Sequence, residues 1–315
     1  MAASVIVPAR DAEATLPRTL RALAEQDFVG DYEVIVVDDG SGDRTAVLAR
    51  SAPGPVSVAC QPAQGPAAAR NLGVARSVGA TLAFCDADVF PTPGWLRAGV
   101  GALERADLVQ GHVLPDPGAE LGPFDRSLWI TSEVGLWETA SLFVSREVFE
   151  RTGGFEQWLE PRAGKALAED VWFGWKARRL GARSAFCAEA LAHHAVFSRN
   201  WRGYVAEQRR AQYFPAMAAR MPELREHFLA GGFFLTPRSA IFDLGVLGGI
   251  IALTLRSPLP LVAAVPYLRE LRKHTYRTTA AGPDRHAVAA ADVAADLVGL
   301  GSMILGSLRY RCLVL

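Results

Sequence analysis

Apolar positions in the first ninety residues follow two periods. Residues 4–7 and 32–37 are short β-branched runs that end in polar or Gly-rich residues, the signature of buried strands. Between them Leu16, Leu20 and Leu23 recur at helical spacing. The alternation continues with a helix predicted over 43–50, a strand over 56–60, a Pro-started helix over 66–76 and a strand in TLAFCDADV, residues 81–89. Strands alternating with helices predict an α/β fold with a mainly parallel sheet covered on both faces, and ligands at the carboxyl ends of its strands. Farther on, short strands are expected over 108–113 and 140–144. A helix is expected from Glu169 through Trp172 and Trp175 to Arg179, with Gly181 beyond it. Its acids come first and its bases last, the order that the helix dipole favours. A further helical stretch covers 201–219.

The pattern changes from residue 238. Windows 244–255, 257–268 and 297–308 are uncharged and mainly apolar. Each is about 12 residues long, whereas a bilayer-spanning helix needs about 20, so core, re-entrant or interfacial roles suit them better. Pro258, Pro260 and Pro266 would kink one long helix. Between the windows lies RELRKHTYR, 269–277, a basic stretch that suits an anionic membrane surface. A helical tail in contact with a membrane is therefore expected; a helical subdomain packed on the body is the alternative.

Composition narrows the class. A chain of 315 residues with 50% hydrophobic positions can build a sizeable core. Its 33 basic and 33 acidic residues cancel, which argues against nucleic acid as a partner. The balance is segregated, with the tail from Arg238 basic and the rest acidic. Cys60, Cys85, Cys187 and Cys312 lack CxxC spacing, which suits buried thiols in a reducing compartment. The opening MAASVIVP has no basic segment and too short an apolar run for a secretory signal, so a cytoplasmic body is expected.

The candidate chemistry gathers at strand ends. Asp86 and Asp88 leave one strand one residue apart and on the same side, where two anions repel unless something positive joins them. Oxygen ligands suit a hard cation such as Mg²⁺ or Mn²⁺; two solvated loop acids are the alternative. Asp38 and Asp39 close the second strand, and Glu169 and Asp170 open the later helix, where they complement its N-terminus. His193 and His194 are neighbours on a short strand, so one of them can face the site, His194 being favoured.

Four segments together carry a resemblance: SVIVPARDAEATL (4–16), YEVIVVDDGSGD (32–43), GPAAARNLGVARSVGATLAFCDADV (65–89), and ERTGGF with AEDVWFGWKARRLG (150–155 and 168–181). In this order and spacing the chain resembles the inverting glycosyltransferases of family 2, bacterial type with an apolar C-terminal tail, up to about Trp201. The resemblance implies the GT-A fold and transfer of a sugar from a nucleotide diphosphate sugar to an acceptor hydroxyl. UDP is the favoured nucleotide, with GDP and dTDP as alternatives; the acceptor is lipid-linked or a small molecule.

It also implies roles. Pro8, Ala9, Arg10 and Asp11 line the nucleotide pocket, with Arg10 standing where the family usually has other residues. Asp39 recognises the base and Asp38 braces the loop. Arg70 and Asn71 form the pocket wall. Asp86, Ala87 and Asp88 form the DxD motif, whose first acid reaches the ribose or the ion's water shell and whose last binds the ion. His194 completes the metal site. Asp170, beside Glu169, is the general base. Trp137, Trp158, Trp172 and Trp175 form either an acceptor-side surface or core, and Arg199 and Arg202 could meet a phosphate. The expected division is a donor half (1–112), an acceptor half (113–237) and a membrane-associated tail (238–315). A catalytically idle nucleotide- or lipid-binding module and a sugar nucleotidyltransferase are the competing readings. A dinucleotide-binding oxidoreductase fails because VPARDA stands where GxGxxG would follow the first strand.

Overall fold

The computed structural model describes residues 2–160, 167–278 and 284–315. Its strands are β1 (Ala3–Ala9), β2 (Tyr32–Asp39), β3 (Val56–Gln61), β4 (Thr81–Phe84), β5 (Val89–Pro91), β6 (Leu108–Pro115), β7 (Leu142–Ser145) and β8 (Ser184–His194). Helices α1 (Leu16–Ala24), α2 (Thr45–Arg50), α3 (Pro66–Arg76), α4 (Trp95–Ala102), α5 (Arg146–Thr152) and α6 (Glu169–Arg179) connect or flank them. The predicted alternation of the first half is present, with α3 opening on Pro66 and α6 on its two acids.

All eight strands form one sheet in the order β3-β2-β1-β4-β7-β6-β8-β5. The first four pair in parallel, and so do β6 and β8; β7 runs antiparallel to β4 and β6, and β5 antiparallel to β8. The sheet is thus mixed rather than uniformly parallel beyond β4. Side chains alternate across β1: Val5 and Val7 face a core with Leu16, Leu20, Leu23 and Trp95, all fully buried. On the other side Phe84, Phe149, Phe155 and Phe173 stack edge to face and tilted, with ring centroids 4.8–5.9 Å apart. Because β1 lies between β2 and β4, the loops after these three strands open at one sheet edge, the usual ligand crevice of such sheets.

The chain divides into two compact units, Met1–Ala119 with Ser127–Val196, and Glu120–Arg126 with Phe197–Leu315. The second holds α7 (Trp201–Glu207), a 3₁₀ stretch (Gln208–Tyr213), α8 (Phe214–Arg220), α9 (Leu224–His227), α10 (Pro237–Leu255), a second 3₁₀ stretch (Leu259–Ala264), α11 (Val265–Thr278) and α12 (Arg285–Tyr310). Its small core comprises Ala211, Ala218, Leu229, Met303 and Val314. A polar clamp joins its helices: Arg238 grips Asp296 at 2.7 Å, Tyr267 donates to Asp296 at 2.7 Å, and Tyr204 donates to Asp292 at 2.9 Å. α10 ends at Leu255, where the first apolar window ends, with Arg256 in the left-handed conformation just before the prolines. One feature of the tail differs from the sequence reading: the window 297–308 is the second half of one 26-residue helix.

Candidate active site

The loop after β4 carries Asp86, Ala87 and Asp88. Arg70, on α3, is buried beneath it and joins two elements at once. One guanidinium nitrogen donates to Asp86 Oδ1 at 2.9 Å, and another to Glu169 Oε1, at the start of α6, at 2.9 Å. Burial opposes the charge on Arg70, but Asp86, Glu169 and Asp170 together raise its pKa above the ordinary value. Arg70 thereby connects the β4 loop to α6.

Asp170 follows Glu169. Its Oδ1 accepts from the Val171 N–H at 2.8 Å. Burial, and then the charge of Glu169, push its carboxyl well above the usual range, with Arg70 pulling the other way. Glu138, which carries no motif, is a second perturbed acid of this region: burial raises it to about 6, and its charge adds to the shift of Asp170. The chain is held there by its neighbours. Gln110 Nε2 donates to the Glu138 carbonyl at 3.1 Å and to the Ser141 carbonyl at 2.8 Å. Trp137, at φ +55°, lies against Gly174 of α6, where a Cβ would come within 1.9 Å of the indole. Its buried indole N–H has no hydrogen-bond partner.

Of the two adjacent histidines, His194 lies beside Asp88. Its Nε2 lies 3.5 Å from Asp88 Oδ2, and its Nδ1 lies 2.6 Å from the Ala195 carbonyl. A carbonyl only accepts, so Nδ1 carries a proton, and in the neutral ring Nε2 then presents a lone pair to the carboxylate. Two acceptors that close suit either a second proton on the ring or a cation, and the fixed tautomer is the one a metal-binding imidazole needs. Asp86 is turned to Arg70. Among the described residues no three His, Cys, Asp or Glu side chains gather as a metal cage. The donor set therefore fits an ion that takes two protein ligands and fills its shell with phosphate and water oxygens, as Mg²⁺ commonly does.

Other expected residues are held by their own surroundings. Asp39 Oδ1 accepts from Gln61 Nε2 at 2.7 Å and from the Gln64 N–H at 2.8 Å, while Oδ2 accepts from the Gly65 N–H at 2.9 Å. It braces the loop into α3, which leaves about one of the roughly four acceptor positions of a carboxylate for a base. Asp38 bonds more weakly, accepting from the Ser41 N–H at 3.4 Å. Pro8 and Ala9 end β1. Asp11, at φ +48°, accepts from the Gly42 N–H at 2.8 Å, and Arg10 stands exposed beside it. Asn71 spends its amide on Phe155, donating to its carbonyl at 2.8 Å and accepting from its N–H at 3.0 Å. Ala87 is buried, and its carbonyl accepts from Thr19. Trp137 and Trp175 are core, whereas Trp158 and Trp172 are half-buried. In the other unit Arg199 pairs with Glu207 and donates to the Phe124 carbonyl at 2.8 Å, and Arg202 lies over Trp201.

Residues 4–155 match the family described as glycosyl transferase family 2. Among curated proteins, "Glycosyltransferase AglE" of Haloferax volcanii is 34% identical over 171 residues, covering 50% of this chain and 56% of that one. "Succinoglycan biosynthesis protein ExoO" of Rhizobium meliloti is 29% identical over 194 residues, covering 59% of this chain and 55% of that one. The chain thus spans about half the length of these curated relatives. Among solved structures, a mannosyltransferase from Pyrobaculum calidifontis, in complex with GDP-Man and Mn²⁺, superposes with a TM-score of 0.57 at 21% identity, covering 98% of this chain and 86% of that one. TarS of S. aureus, residues 1–349 with UDP-GlcNAc, gives a TM-score of 0.52 at 17% identity, covering 99% and 93%. These structures share the fold, GT-A, and the β1–α5 segment of the chain matches glycosyl transferase family 2.

Proposed function

We propose that the chain is an inverting glycosyltransferase that moves a sugar from a nucleotide diphosphate sugar to an acceptor hydroxyl by direct displacement. The observation that carries this reading is the Arg70 bridge, which fixes the β4 loop and the first turn of α6 to one another through Asp86 and Glu169. A donor-binding loop and a base must be held at constant separation for a single in-line displacement, and one buried cation does this with two charge-assisted bonds.

Asp170 is the base in this scheme. An acceptor hydroxyl is a poor nucleophile until its proton leaves, and a carboxylate whose pKa is raised by burial takes that proton more readily than a solvated one. Attack from the side opposite the leaving diphosphate inverts the anomeric centre. Glu169 neutralises Arg70 and keeps Asp170 in place. Pro8, Ala9, Arg10, Asp11 and Asp39 line the nucleotide, with the exposed guanidinium plane of Arg10 available to stack on a base. Asp86 and Ala87 border the ribose and diphosphate, and Asp88 with His194 would hold a Mg²⁺ or Mn²⁺ ion. When bound, that ion supplies positive charge to the departing diphosphate without proton transfer.

The complexes of the two neighbours, one with GDP-Man and Mn²⁺ and one with UDP-GlcNAc, support a nucleotide sugar donor without choosing its base; UDP is the nucleotide favoured in this scheme, with GDP and dTDP as alternatives. Residues 1–112 serve the donor, 113–237 the acceptor, and the tail from 238 associates with the inner face of the cell membrane, which favours a lipid-linked acceptor. The test is a pair of variants assayed with UDP-sugars. Asp170→Asn should retain donor binding and lose transfer, and Asp88→Ala should lose metal-dependent donor binding. If Asp170→Asn transfers at the original rate, the base assignment is wrong.

A further inference from the structure

Helix α11 carries two opposite stripes. On one, Tyr267 and Thr275 are buried, and Tyr267 is joined to Asp296 of α12. On the other, exposed side chains follow one another at i, i+3 and i+4: Val265 and Leu268, then Arg269, Arg272, Lys273 and Tyr276. The stripe thus passes from apolar to basic within about two turns. The basic end forms an open cleft of about 350 Å³ lined by Arg269, Arg272, Lys273 and Tyr276, and the Arg285 guanidinium lies 4.8 Å above the Tyr276 ring. The apolar end continues into the 3₁₀ stretch, where Leu259 is 79% and Val262 71% exposed, and onto α10, where Leu253 is 82% exposed. From Leu244 to Leu268 the sole charged residue is Arg256.

By length and composition α10, with 19 residues, and α12, with 26, could each cross a membrane, but both carry charged side chains tied to one another and to neighbouring helices. The uncharged run of α10, 244–255, covers about 18 Å against a hydrocarbon core of about 30 Å. α12 is longer, but Val288, Ala295 and Met303 are buried along its length, and a Cβ on Gly306 would come within 2.2 Å of the Gln212 carbonyl. The start of α10 is clamped to α12 through Arg238 and Asp296. An exposed apolar face that ends in a basic cluster instead matches the two layers of a membrane surface, acyl boundary and anionic phosphates.

We propose that α10, the 259–264 stretch and α11 dock on an anionic bilayer in an interfacial mode. Their apolar side chains enter the headgroup boundary while Arg269, Arg272 and Lys273 bind lipid phosphates. The inference rests on the membrane reading of the tail given above and adds the mode of contact and the charge of the lipid.

The test is sedimentation of the full chain with vesicles of phosphatidylcholine alone and of phosphatidylcholine mixed equally with phosphatidylglycerol. The wild type should bind the mixed vesicles, leave them in high salt, and bind phosphatidylcholine weakly. R269Q/R272Q/K273Q should bind the mixed vesicles on the order of 100-fold more weakly. R21Q/R76Q/R105Q, which neutralises three exposed arginines of the other unit, should bind as wild type. L259S/V262S should weaken binding to both vesicle types. If L259S/V262S abolishes binding while R269Q/R272Q/K273Q binds as wild type, headgroup recognition is overturned and the membrane reading survives. Binding to neither vesicle overturns both. Retention through alkaline carbonate extraction overturns the interfacial mode, and self-association through these same residues without vesicles makes a second copy the occupant and overturns the proposal.

Discussion

The sheet unit and the helical tail are both rich in apolar residues, and they dispose of them in opposite ways. In the sheet unit the side chains of β1, β2 and β4 are buried on both faces, and the buried Arg70 is paired with Asp86 and Glu169. The tail reverses this. Seventeen of the twenty-six large apolar side chains that stand exposed among the described residues belong to its final quarter of the chain, while Asp292 is buried. One region is organised around a polar site inside an apolar frame, the other around a polar clamp beneath an apolar surface. Charge burial should therefore govern activity in the first, and apolar exposure should govern surface binding in the second.

The largest expected effect falls on Asp170. Asp170→Asn keeps the shape and removes the proposed base, so turnover with a UDP-sugar should fall by about 10²–10⁴-fold while the donor dissociation constant stays unchanged. A parallel fall in donor affinity would mean that Asp170 holds the site together rather than acting as its base. Next comes the bridge itself. Arg70→Met leaves Asp86 and Glu169 as carboxylates that have lost their shared cation, and breaking such a buried pair costs about 3–5 kcal/mol. Chemical denaturation should show that loss, together with loss of transfer; a fold of unchanged stability would show that the bridge is dispensable.

The contrast between the regions can be tested directly. Leu20, fully buried beneath β1, should cost about 2–5 kcal/mol as Leu20→Ala. Leu253, 82% exposed on α10, should change stability by no more than about 0.5 kcal/mol as Leu253→Ala. Equal costs in urea unfolding would show that the tail's apolar face is covered in solution and would remove the ground for surface docking.

Much of this arrangement is legible in the sequence, because much of it is local. The β1–α1–β2 alternation, the acids at strand ends and the acid-first start of α6 follow from period and capping alone. What is hidden depends on partners distant in the chain. Asn71 gives no local sign that its amide meets Phe155, 84 positions away. Asp39 gives none that the turn at Gln64 and Gly65 folds back onto it. The antiparallel entry of β7 beside β4 has no local cue, and α12 reads as an isolated apolar window because its two acids, Asp292 and Asp296, find partners on α7, α10 and α11. Glu138 stands in no motif; a Trp in the left-handed region just before it, packed on a glycine of α6, is visible only in the fold.

Glu138 also supplies the smallest and most specific test of how the sheet unit treats charge. Its carboxyl is raised from 4.5 to about 6 by burial, so the folded chain holds that proton more tightly than the unfolded chain does. Below pH 4.5 both states are protonated and the residue is neutral in its effect. Between pH 4.5 and about 6 the unfolded chain ionises while the folded chain stays protonated, and above about 6 the folded chain carries a buried charge. Folding then loses about 2 kcal/mol from this group. Glu138→Gln cannot ionise, so the variant should match the wild type at acid pH and exceed its stability by that amount at neutral pH. Thermal unfolding across this range measures the divergence, and parallel curves for the two proteins would show that the Glu138 carboxyl is solvated rather than buried.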